Sequence, residues 1–176
     1  MRTVVIFAIT LAVMPSFAHA ADLSSSLSGL SFLVGNWGAA KGVVADTGGT
    51  STGHSSFSVE ADGALLLRRD HTELFDKSGK PSGGFNQVMT IYADHGALRA
   101  DYIDSQHVIH YDRVDIEPGR SAIFTSATQA GAPAFKLVYS LETPQTLRIA
   151  FSMAPPNSTS FQPIANGTMT RTHSGP

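Results

Sequence analysis

From Trp37 onward the chain alternates apolar and polar residues in segments of eight to ten, each broken by Gly, Pro, Asp or Asn. Successive side chains of a strand point to opposite faces, so this rhythm describes half-buried strands joined by turns. The segments are Trp37–Val44, His54–Glu60, Ala64–Leu74, Phe85–Ala93, Ala97–Asp104, His107–Ile116, Ser121–Gln129, Ala134–Leu141, Thr146–Ala154 and Ile164–Thr172. Most connections are short, so strands adjacent in sequence should pair antiparallel. A meander of about ten strands closes readily into an up-and-down β-barrel, which removes its exposed edges. The expected class is therefore all-β. A short helix or turn at about Leu27 to Leu33 should precede the strands, after a serine-rich stretch from Ala21 to Ser31.

Residues 1 to 20 read differently. Arg2 is followed by an apolar run from Val4 to Val13 and by Ala18-His19-Ala20, a small-x-small cleavage pattern. This is the layout of a secretory signal peptide cut before Ala21, and it is too short for a membrane span. The expectation is an exported protein, periplasmic or secreted, with one barrel domain over residues 21–176. No later segment is long and apolar enough to suggest a transmembrane helix. Asn157-Ser158-Thr159 and Asn166-Gly167-Thr168 are formal glycosylation sequons.

Composition narrows the function classes. The chain has 176 residues and a net charge of −2, which argues against a nucleic-acid-binding surface. It contains no cysteine, which excludes disulfides, thiolate metal sites and a cysteine nucleophile. No phosphate loop, dinucleotide fingerprint or nucleophile elbow is present. His107 and His110 fall on opposite faces of a strand and cannot share a metal, so no metal site is expected.

Hairpin loops set the register. With Ala61-Asp62-Gly63 as a three-residue loop, Phe57 faces Leu67, and the apolar face continues through Arg69, His71 and Glu73. With Asp94-His95-Gly96 as another, Tyr92 faces Leu98. A tight turn at Ser105-Gln106 then sets Tyr102 opposite Ile109 and Ala100 opposite Tyr111. The inward face becomes Val88, Thr90, Tyr92, Leu98, Ala100, Tyr102, Ile109 and Tyr111. The outer face carries a charge ladder, Arg99 with Asp112 and Asp101 with His110. Phe124, Phe135, Leu137, Tyr139, Leu147, Ile149, Phe151 and Met153 also read as inward.

Arg69, His71, Glu73, Tyr92, Tyr102, Tyr111 and Tyr139 are therefore the candidate ligand-binding residues. Tyrosine offers an apolar body with a polar tip, which suits a cavity that grips one small molecule. His71 and Glu73, two apart on one face, are also a possible acid/base pair. The same side chains could instead satisfy one another at the barrel rim or fill its core.

Phe32-Leu33-Val34-Gly35-Asn36-Trp37 resembles the Gly-x-Trp entry of lipocalin-like, or calycin, barrels. That resemblance implies a tryptophan plugging the closed end and a cavity for a small, often apolar ligand. Met89–Tyr92, Leu98–Asp104 and His107–Ile109 are similar to an exported bacterial family of unknown function with such barrels. The strand count is similar to nitrobindin-like haem-binding barrels. That likeness implies haem and a proximal histidine on a C-terminal strand, where this chain offers only His173. The stretch after Trp37, Gly38-Ala39-Ala40-Lys41-Gly42, leads to no Tyr-Pro, unlike that group.

The leading expectation is an exported barrel that binds a small, apolar or amphipathic molecule. The alternative is a barrel enzyme, haem-dependent or using His71 and Glu73. A protein partner on the outer face ranks last, because the charge ladder is too polar for an interface core.

Overall fold

The computed structural model describes residues 22–45 and 47–172. The leader and His173 lie outside the described residues. Ten strands follow one short 3₁₀ turn, Ser28–Leu33. They are β1 (Gly35–Val44), β2 (Gly49–Glu60), β3 (Leu65–Phe75), β4 (Pro81–Asp94), β5 (Ala97–Ile103), β6 (Val108–Glu117), β7 (Ser121–Ser126), β8 (Ala134–Thr143), β9 (Thr146–Ala154) and β10 (Gln162–Thr172). Each pairs antiparallel with its neighbour, and β1 pairs with β10, so the barrel is closed.

One end is plugged. Leu27, Leu30, Leu33 and Trp37 are fully buried there, beneath Phe57, Leu66, Ile91 and Leu147. Each such side chain contributes about 1.5–3 kcal/mol by leaving water. The plug also satisfies its polar atoms. Trp37 Nε1 donates to the Leu33 carbonyl at 2.8 Å, closing the turn onto the strand. Arg171 of β10 lays its guanidinium 4.2 Å from the centre of a Trp37 ring. Its Nη1 donates to the Val34 carbonyl at 2.7 Å and its Nη2 to the Phe32 carbonyl at 3.0 Å. The tryptophan plug was legible in the sequence; the arginine that seals it was not.

Two hairpins differ from the loop counts expected above, and each difference reverses a face. Glu60 pairs with Leu65, so the β2–β3 loop has four residues, Ala61 to Ala64, instead of three. Ala61, Asp62 and Gly63 all have positive φ (50°, 54° and 89°). The Gly63 carbonyl accepts from Ser24 N at 2.9 Å, and a Cβ at Gly63 would stand 2.2 Å from the Asp22 carbonyl. The segment before the 3₁₀ turn therefore holds this loop from below. Asp94 pairs with Ala97, leaving a two-residue turn of His95 and Gly96, both at positive φ (49° and 81°). That is the pattern of a hairpin turn whose twist matches its strands, and histidine is among the residues that tolerate the left-handed region.

A one-residue slip turns every side chain of a strand over. On β3 the inward residues are Leu66, Arg68 and Asp70, all buried. On β4 they are Met89 and Ile91, not Val88, Thr90 and Tyr92. The β5–β6 register is as expected: Ala100 pairs with Tyr111, Tyr102 with Ile109 and Asp101 with His110. The inward faces of β8 and β9 also match, with Leu137, Tyr139 and Leu147 buried.

Candidate functional site

Above the plug the interior is open. A cavity of about 380 Å³ reaches the end of the barrel where the β1–β2, β3–β4 and β5–β6 loops lie. Its walls combine Leu74, Phe85, Leu137, Ile149 and Phe151 with a polar set of Arg68, Asp70, Gln87, Tyr102 and Tyr111. Alternation along the strands delivers this set. Arg68 and Asp70 are two apart on β3, Gln87 pairs with Asp70 from β4, and Ser55 pairs with Asp70 from β2.

Arg68 Nη2 donates to Asp70 Oδ2, and the two side chains are only 8% and 5% exposed. A buried ion pair of this kind is weak evidence for stability, because desolvation offsets much of the attraction. The rest of the coordination is thin. Arg68 Nη2 lies 3.5 Å from Gln87 Oε1 and Nη1 3.8 Å from Met89 Sδ. Gln87 Nε2 donates to Thr72 Oγ1 at 2.9 Å. The Arg68 guanidinium also sits 5.7 Å from the centre of the Tyr139 ring. Four buried atoms in this layer have no hydrogen-bond partner: Arg68 Nε, Asp70 Oδ1, Tyr111 OH and Tyr139 OH. Each such atom costs about 1–3 kcal/mol, and native interiors keep few of them. Their gathering in one layer is the strongest functional signal in the molecule.

The tyrosines are neutral donors. Burial pushes the Tyr139 hydroxyl up to about 12, against the opposing charge of Arg68. Burial also raises Tyr111, again opposed by Arg68. Phe57, Phe124 and Tyr139 pack edge to face, and so do Tyr111 and Phe124, which fixes both ring planes. Tyr102 stands nearer the mouth. Its hydroxyl donates to Asp104 Oδ2 at 2.7 Å, and its ionisation is raised by burial first and by that bond second. Burial alone would raise Asp104. Bonds from Tyr102, the Gln106 and His107 amides and the His107 ring outweigh it and hold the carboxyl at about 2.

Of the seven sequence-predicted residues, Arg69, Glu73 and Tyr92 do not line the cavity, while His71, Tyr102 and Tyr111 do. The slipped β2–β3 register puts Arg69, His71 and Glu73 on the outer wall, where their side chains are 58%, 40% and 55% exposed. There His71 Nδ1 meets Asn86 Oδ1 at 2.9 Å, Glu73 stands 3.8 Å from His71 Nε2, and the His54 ring lies beside His71. The acid/base pair is real as a contact, and His71 borders the cavity, as His54 does, but Glu73 does not. Tyr92 also points outward, where its hydroxyl donates to Asp101 at 2.9 Å. Tyr102, Tyr111 and Tyr139 are inward. Sequence reasoning missed Arg68, Asp70 and Gln87, one position away from the residues it chose.

The outer charge ladder is present, with Arg99 Nη1 3.4 Å from Asp112 and His110 Nδ1 2.6 Å from Asp101. Beside it runs an exposed apolar row of Val88, Ile103 and Val108, paired in register. A second depression, about 520 Å³, lies where the ends of β1 and β3 meet the β1–β2 and β3–β4 loops, lined by residues including Val44, Thr47, Leu74 and Lys77. None of the four unpartnered atoms borders it, so the interior cavity is the candidate site.

No histidine stands in the buried layer of the described residues, so the proximal histidine that the haem likeness implies is not found there. Of the five described histidines, His54, His71 and His107 border the cavity, His110 lies on the outer wall and His95 in a turn. Among the described residues no three His, Asp or Glu side chains gather as a metal site, and no helix is long and apolar enough to cross a membrane.

No protein-family model and no curated protein matches the chain. Solved structures do. Rv2717c from M. tuberculosis superposes with a TM-score of 0.59 at 13% identity, covering 86% of this chain and 100% of that one. The S-type phycobiliprotein lyase CPES from Guillardia theta superposes at 0.54 and 12% identity, covering 92% of this chain and 100% of the lyase. The shared feature is the fold, a calycin-like β-barrel.

Proposed function

We propose that this barrel binds a small, largely apolar molecule in its interior, with the molecule's polar end against Arg68, Asp70 and Tyr111. The observation that carries this reading is the set of four unpartnered polar atoms in and beneath the cavity wall. A cavity of about 380 Å³ lies near the small end of the range of about 300–1,000 Å³ usual for ligand pockets. The aliphatic and aromatic wall of Leu137, Ile149 and Phe151 supplies burial, and the polar layer supplies orientation.

Native mass spectrometry of the protein purified from its own host tests this. The expected result is a reproducible added mass that disappears in the double variant Arg68→Met with Asp70→Leu. That variant replaces both partners of the pair, so neither is left as a buried lone charge. A clean apo mass for the wild type under gentle conditions, with no small molecule taken up on addition, overturns the reading.

A further inference from the structure

We infer that the ligand's buried end is uncharged and both donates and accepts hydrogen bonds, as a hydroxyl or carboxamide does, and that the site discriminates against carboxylates and ammonium groups. This rests on the cavity being a ligand site, as proposed above.

Arg68 is the one cation among the buried side chains of the described residues, and Asp70 is the one anion. They are bound to each other, so the inner layer is neutral before any ligand arrives. Gln87 and Thr72, the next polar groups on the wall, are uncharged and bound to each other. An added carboxylate would bring a second anion beside Asp70, whose side chain is only 5% exposed. An added ammonium would bring a second cation beside Arg68. Neither charge has a free counter-ion there, and an unpaired buried charge is strongly penalised.

The unpartnered atoms point the same way. Arg68 Nε is a donor, Asp70 Oδ1 is an acceptor, and the two tyrosine hydroxyls can do either. A head group that only accepts, such as a carboxylate, leaves Asp70 Oδ1 unmet. One that only donates, such as an ammonium, leaves Arg68 Nε unmet. A hydroxyl or amide meets both kinds once the Arg68 and Asp70 side chains turn toward it, since neither atom has open surface in the present packing. Toward the mouth Asp104 is already bound by Tyr102 and His107, His71 meets Asn86 and stands beside Glu73, and His54 is exposed. The remaining charged and titratable groups on the wall are therefore engaged or lie in solvent, away from the inner layer.

The experiment is calorimetric titration of the wild-type protein with four eight-carbon probes at pH 7: 1-octanol, octanamide, octanoate and octylamine. Octanol and octanamide should bind at least about 10-fold tighter than octanoate and octylamine. Equal or tighter binding of octanoate or octylamine overturns the inference while leaving the cavity reading intact. Binding by none of the four, together with an apo mass from the host, removes both. Asp70→Asn sharpens the test, because it leaves Arg68 without its anion. Its ranking should reverse in favour of octanoate, and octanoate should raise its melting temperature where octanamide does not. An unchanged ranking in a folded Asp70→Asn also overturns the inference. Should that variant fail to fold, the wild-type ranking decides alone.

Discussion

The plugged end and the open interior of this barrel treat polar atoms in opposite ways. At the plug, the Trp37 nitrogen and both terminal nitrogens of Arg171 meet backbone carbonyls. One layer higher, Arg68, Asp70, Tyr111 and Tyr139 each keep an atom with no partner. Both regions set an arginine against an aromatic ring, half-buried at the plug and buried in the layer above. The difference shows which region is built for stability and which tolerates a cost. Satisfied polar atoms rigidify a core, while unsatisfied ones are retained where a partner is yet to arrive.

Mutation should separate the two regions. Trp37→Ala removes a fully buried indole and its hydrogen bond, and should cost about 3–5 kcal/mol in urea unfolding. The same magnitude from a substitution in the polar layer would erase the contrast. Arg68→Met with Asp70→Leu should instead leave stability unchanged or raise it by about 1–4 kcal/mol, while abolishing ligand uptake. A loss of stability in that variant would show that the pair is structural.

At the mouth, Asp104 offers a smaller and pH-dependent effect. Its carboxyl is held at about 2 in the fold, below its ordinary value of 3.8. A lowered folded value means the ionised form stabilises the fold above pH 4, and that the contribution fades as pH falls through 2. Asp104→Asn should therefore lower stability by on the order of 1 kcal/mol at pH 6, after allowance for solvent at the rim. The gap between variant and wild type should close between pH 4 and pH 2 in parallel denaturation curves. A constant gap would point to lost packing instead of lost charge.

The smallest effect is expected at the β2–β3 loop. Ala61 is held at φ 50°, a region costly for a side chain with a Cβ. Ala61→Gly should stabilise by about 0.5–1 kcal/mol, net of its greater freedom when unfolded. No gain in thermal melting would mean that this loop carries less strain than its backbone angle indicates.

The same loop explains where sequence reasoning stopped. Strand number, barrel closure and the tryptophan plug could be read because long alternating segments and short turns leave few other arrangements. The β5–β6 register could be read because the outer face declares itself, with Asp101 opposite His110 and Arg99 reaching Asp112. On β3, Leu65, Leu66 and Leu67 run consecutively, so the apolar pattern supports either face equally. On β4, Val88-Met89 and Ile91-Tyr92 do the same. The decision then passes to the loops, and the loops depend on events the pattern does not encode. One is the docking of Asp22 to Ser24 beneath Gly63; the other is a histidine accepting the left-handed turn. The candidate site moved by one residue, from Arg69 and His71 to Arg68 and Asp70, and thereby from the outer wall to the interior.

The contact between Arg171 and the carbonyl of Val34 spans 137 positions of chain. It lies on the seam where Asn36 pairs with Thr172 and Trp37 with Arg171. A meander can assemble hairpin by hairpin, but this seam has no local precursor. Until it forms, β1 and β10 are bare edges that any extended chain can extend, including another copy of the same protein. Zipping the seam is therefore expected to be the slow step of folding and its point of greatest exposure to misassembly, since non-local strand pairing is what retards β-rich chains. The arginine that caps the tryptophan would then act in time as well as in space, as the latch that ends the period of vulnerability.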